Sequence, residues 1–142
     1  MKRTLLTTCL IAAATILSTY AIDAHAADVN LTINGVGDKG NVMVALYKKD
    51  DKWLGKSTMG TMVAAKKEGV TVSFKDLPEG EYAVSLFVDE NSNGKMDTNA
   101  IGIPVEAYGF SNDASGNFGP PSFEQAKFIV GKDKAAITIT LK

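Results

Sequence analysis

The chain has 142 residues, 15 Lys plus Arg against 16 Asp plus Glu, and a formal net charge of −1. No basic run exceeds two residues, so the electrostatic footprint of a nucleic-acid-binding protein is missing. A single Cys and a single His leave little room for thiol or imidazole chemistry.

The first 26 residues read as a cleavable export signal. Lys2 and Arg3 form the positive start, Leu5 to Ile22 an apolar stretch diluted by Thr and Ser, and Ala24-His25-Ala26 the small-x-small site that signal peptidase admits. Leu6-Thr7-Thr8 before Cys9 lacks the small-residue box of a lipoprotein. Cleavage after Ala26 leaves residues 27–142 as one domain, periplasmic or secreted, with no membrane span. Cys9 and His25 depart with the leader, as do Lys2, Arg3 and Asp23, leaving 13 basic and 15 acidic residues and a net charge of −2. A mature chain with no Cys and no His has no disulfide, no Ser-His-Asp triad and no Cys- or His-based metal centre.

Apolar residues in the remainder recur mostly with period two. Val29, Leu31 and Ile33 alternate with polar residues, and Gly35 to Gly40 forms a turn. Val42 to Tyr47 is apolar on both faces, as in a central strand. Residues 50–67 mix signals, with a strand expected near Met62–Ala65. Val70, Val72 and Phe74 begin another alternation. Leu77-Pro78-Glu79-Gly80-Glu81-Tyr82 then predicts a tyrosine-corner turn, with the Tyr82 hydroxyl bonding back to the turn backbone. Tyr82 to Val88, Phe128 to Val130 and Ile137 to Leu141 complete the set. Ser122-Phe123-Glu124-Gln125 carries the capping-box pattern and predicts a short helix ending before Phe128. The expected fold is an all-β single sandwich, immunoglobulin-like or prealbumin-like, of about seven strands with one long loop.

That loop is where chemistry is expected. From Asp89, oxygen side chains fall at relative positions 1, 3, 5 and 9 (Asp89, Asn91, Asn93, Asp97), with Gly94 at 6 and the Lys95 carbonyl at 7. This spacing suits a chain coiling around Ca²⁺. Position 12 is Ala100 where an EF-hand has Glu, so Glu106, or Asn99 nearer by, would complete the shell, and affinity would be about 10⁻⁴–10⁻³ M. The competing expectation is a metal-free turn, because Asn93-Gly94 is a favoured type I′ pair. The connection from Thr98 to Pro121 then carries Tyr108, Phe110 and Phe118. Those rings either pin the loop or form a platform for an apolar or sugar-like ligand.

The ordered run Phe74 to Val84 (FKDLPEGEYAV) and Asp89 to Asp97 (DENSNGKMD) resembles a family of exported bacterial proteins catalogued as domain of unknown function 2141. Gly102-Ile103-Pro104 with Glu106, Tyr108-Gly109-Phe110-Ser111-Asn112 and Gly119-Pro120-Pro121-Ser122-Phe123 add to the likeness. It covers nearly all of residues 27–142; Ala107 stands where the family carries Gly. The resemblance implies an exported sandwich of a Gram-negative bacterium and transfers no catalytic residue. Three functions stay open. One is a non-enzymatic domain binding a small molecule, glycan or envelope protein. The second is a hydrolase of glycosides or esters using a pair among Asp89, Glu90, Asp97 and Glu106. The third is a structural or adhesive module assembling by strand edges.

Overall fold

The computed structural model describes residues 26–142; residues 1–25 of the predicted leader, with Cys9 and His25, lie outside them. The chain runs β1 (Ala26–Asn34), β2 (Asn41–Lys48), β3 (Met59–Ala64), β4 (Val70–Pro78), β5 (Gly80–Asp89), β6 (Tyr108–Phe110), a 3-10 turn at Ser111–Asp113, α1 (Phe123–Ala126), β7 (Phe128–Val130) and β8 (Ala135–Thr140). Two sheets pack face to face, one in the order β4-β1-β8, the other β3-β2-β5-β6 with β7 also on β5. This is the expected all-β sandwich.

Alternation explains the layering. Val29, Leu31 and Ile33 of β1 with Val72 and Phe74 of β4 meet Val42, Val44 and Leu46 of β2 and Tyr82, Val84, Leu86 and Val88 of β5. β1 pairs β4 antiparallel and β8 parallel, with Leu31 opposite Ile137. The turn before β5 behaves as expected: the Tyr82 hydroxyl donates to the Pro78 carbonyl at 3.0 Å. The short helix begins at Ser122, where the Ser122 and Gln125 side chains cap each other's backbone N–H groups.

The edge of β5 is shared end to end. β7 pairs its start (Gly80 to Tyr82) and β6 its later half (Ser85 to Phe87). Between them the buried Ser111 hydroxyl accepts from the Val84 N–H at 2.8 Å and donates to the Ala126 carbonyl at 2.5 Å. One side chain thus fills the seam where neither strand reaches.

The segment Thr98 to Pro121, expected to carry little structure of its own, contains β6. Three residues are too few for a periodicity signal, and Gly109 at their centre weakens any strand propensity. Gly109 is there for space: a Cβ on it would meet Ile139 Cγ2 at 2.8 Å. β6 therefore lies against the end of β8, where Lys142 N–H donates to Tyr108 O at 3.1 Å and closes one corner of the sandwich.

Candidate functional site

Strand β5 ends at Asp89, which is buried although charged, and its carboxylate organises the loop beyond the strand. Oδ1 accepts from the Asn93 N–H at 3.0 Å and Oδ2 from the Gly94 N–H at 2.7 Å. Asn91 Oδ1 shares the Asn93 N–H at 3.1 Å, and Asn93 Oδ1 accepts from the Lys95 N–H at 2.8 Å. Asp97 receives the side-chain amides of both asparagines, at 2.5 Å from Asn91 and 2.9 Å from Asn93. Short polar side chains at alternate positions bend the backbone by bonding the N–H groups just ahead.

Glu106 locks the return. It is buried, with Oε1 accepting from the Glu90 N–H at 3.1 Å and Oε2 from the Asp97 N–H at 2.9 Å. Three points of the chain are held by one carboxylate. Asn99 does the same for the tip, accepting from the Ile101 and Ile103 N–H groups at 3.1 and 3.0 Å. Gly40 completes the base: with φ +78° it lies under β5, and a Cβ there would meet Asp89 O at 2.1 Å.

The sequence-predicted metal residues are therefore brought into one loop, but not with their oxygens converging. The carboxylate oxygens of Asp89 and Glu106 accept backbone N–H groups, and Asn91 and Asn93 turn their NH₂ groups, not their oxygens, toward Asp97. Lys95 is exposed and takes part through its backbone N–H. Among the described residues no cluster of three or more His, Cys, Asp or Glu is arranged for a metal. As arranged, these oxygens accept the loop's own N–H groups rather than converge on one point. The turn geometry also departs from the type I′ expectation: the left-handed residues are Ser92 (φ 61°) and Gly94 (φ 75°), not the Asn93-Gly94 pair.

The three predicted ligand-binding rings divide. Tyr108 and Phe110 meet edge to face with centroids 6.0 Å apart, and both register with outward positions of β5, Phe87 and Ser85. Phe118 stands fully exposed on its loop, away from them. Trp53, unflagged in the sequence, is the hub of the cluster. It meets Tyr47 at 5.0 Å and Phe123 at 5.8 Å edge to face and Phe110 at 6.0 Å at a tilt, and its Nε1–H donates to the Pro121 carbonyl at 2.8 Å.

Beside this cluster the outer face of the larger sheet is partly exposed. Met43, Ala45, Met62, Ser85 and Phe87 line a shallow groove of about 570 Å³ with Tyr47 at its end. Met43 lies between Met62 and Phe87 in the cross-strand register, and Tyr108 continues the row beyond Phe87. The sequence held this signal: β2 is apolar on both faces, and β5 places Phe87 at an outward position.

The fold and the loop define a small all-β domain whose buried loop carboxylates accept N–H groups of their own loop. The chain matches, over residues 31–138, the family model described as an uncharacterized protein conserved in bacteria (DUF2141), and it belongs to that family. No curated protein and no solved structure matches it. No helix among the described residues is long and apolar enough to cross a membrane.

Proposed function

We propose that this chain is an exported, non-enzymatic binding domain that holds a small molecule with an apolar face, such as a hydrocarbon or a sugar ring, on the outer side of its larger sheet. The observation that carries the reading is the apolar groove of Met43, Ala45, Met62 and Phe87 beside the Trp53 cluster. Its volume lies within the range of small-molecule sites, and Ser57, Thr61 and Ser85 supply the few polar groups that fix an orientation. Against a hydrolase, Asp89, Asp97 and Glu106 are occupied in holding their own loop, and none of them lines the groove. The loop's role in this reading is to brace the connection into β6, which places Tyr108 beside Phe87.

Trp53 is the sole tryptophan and packs on the groove-lining Tyr47, so its fluorescence reports occupancy. A panel of hydrocarbon and oligosaccharide probes, followed by fluorescence and by amide shifts, is expected to move resonances of residues 43, 62, 87 and 108. Phe87→Asp should abolish those shifts while leaving the strand signature of the circular dichroism spectrum intact. Shifts confined to other faces, or a Phe87→Asp variant that binds as well as the parent, would remove this reading.

Calcium remains a proposal for the same loop. The spacing of Asp89, Asn91, Asn93 and Asp97 supports it. To present their oxygens, however, Asn91 and Asn93 would have to rotate their amides and release the N–H groups of Asn93 and Lys95. A cation must therefore displace existing hydrogen bonds, which holds the expected dissociation constant to about 10⁻⁴–10⁻³ M.

A further inference from the structure

The two sheets end in strands of very different character. β4 carries Lys75, Pro78 and a left-handed Asp76, features that discourage pairing with another chain. β6 and β7 are three residues each, and the Thr140 N–H of β8 is taken by Asp113 Oδ1 at 2.8 Å. β3 has none of these protections. Its six residues, Met-Gly-Thr-Met-Val-Ala, include no charge and no Pro, and five of the six are exposed.

The direction of its free backbone groups is set by the ladder. The Ala65 N–H donates to Gly40 O, so Gly40 and Ala65 form a hydrogen-bonded pair. In the same register Val42 with Val63, Val44 with Thr61 and Leu46 with Met59 are the other bonded pairs. On the far side of β2, the Lys49 N–H donates to Glu81 O, which assigns the odd-numbered residues of β2 to β5 and agrees with that count. Gly60, Met62 and Ala64 therefore turn their N–H and C=O groups away from β2, toward open solvent.

We infer that β3 is a self-association edge, pairing antiparallel with β3 of a second copy about a two-fold axis at Met62. In that register Met62 faces Met62, and Gly60 faces Ala64 on each side. All three outward residues are used, and each pair exchanges two hydrogen bonds. The side chains agree with it. Met62, which is 59 % exposed, gains an apolar neighbour, and Gly60 leaves room opposite Ala64. The strand itself carries no charge, so the paired segments bring no like charges together. The larger sheets would join into one across the dimer, with the two Met43–Phe87 grooves side by side on the same face. Met62 also lines the groove, so the pairing is read on the ligand-free protein, where it does not rest on the ligand proposed there.

Sedimentation of the exported protein from micromolar to millimolar concentration tests it. A concentration-dependent dimer is expected, lost in Met62→Pro, which removes an outward N–H that the fold does not use. Should Met62→Pro prove unfolded by circular dichroism, Met62→Lys, which sets two like charges on the axis, takes its place with the same expected loss. Met62→Cys should oxidise to a disulfide mapped by mass spectrometry to residue 62 on both chains. A protein that stays monomeric throughout, or a dimer unchanged in the folded variant, would overturn self-pairing and leave the edge to a strand of different sequence.

Discussion

Ser111 shows how much one hydroxyl can hold. It satisfies the Val84 N–H where β6 and β7 fail to meet, and ties that point to the end of α1 through Ala126 O. Ser111→Ala leaves a buried donor without an acceptor, at an expected cost of about 1–3 kcal/mol. Chemical denaturation should report that loss with an unchanged slope. Asp89 acts similarly at the mouth of the loop. Asp89→Ala strips the Gly94 N–H of its acceptor and leaves the Asn93 N–H only Asn91. Faster hydrogen exchange at residues 90–97 is expected, while the β1 and β2 amides stay protected. Asp89, Asn91, Asn93 and Asp97 were legible in the sequence as a spacing of oxygens, but their task was not. The same spacing serves a cation or the loop's own N–H groups, and only the direction of the Asn91 and Asn93 amides separates the two.

At the scale of elements, the long strands could be read from alternation because each buries one face against a single core. β6 could not: its strand character is conferred by Ser85 to Phe87 across the ladder rather than by its own three residues. The parallel pairing of β1 with β8 was likewise silent, since partners so far apart in sequence leave no local trace. Among the joints between elements, Glu81 at the start of β5 is the most pH-sensitive. It bonds Lys49, just past β2, and Lys127, just past α1, the latter at 2.6 Å. These two ammonium groups, Lys127 foremost, hold its carboxyl down at about 2, against an ordinary value of 4.5. The folded form therefore favours the ionised carboxylate. Its contribution is complete above pH 4.5 and lost as pH falls from there through about 2. The difference in Tm between the parent and Glu81→Gln should accordingly narrow across that window. A difference independent of pH would show that the ion pairs add nothing beyond packing.

At the scale of the whole molecule, one corner joins the two sheets through backbone groups. At this corner the Lys142 N–H donates to Tyr108 O, the Tyr108 N–H to Lys142 O, and β6 presses on β8. Gly109 makes that approach feasible, because any side chain would enter the space of Ile139 and Leu141. Gly109→Ala is therefore an overpacking substitution, expected to cost about 1–3 kcal/mol through displacement of β6. The consequence should reach further than stability. Tyr108 and Phe110 flank Gly109, pair with Phe87 and Ser85, and border the Trp53 cluster. Moving β6 off β8 should thus alter the Trp53 emission and weaken any ligand on the outer face, even though Gly109 lines no part of the groove. Measuring both on the folded variant separates two kinds of sandwich. A changed emission with weaker binding means that the corner sets the shape of the binding face. A lower Tm with emission and binding unchanged means that the corner is a staple and the face is fixed by β2 and β5 alone.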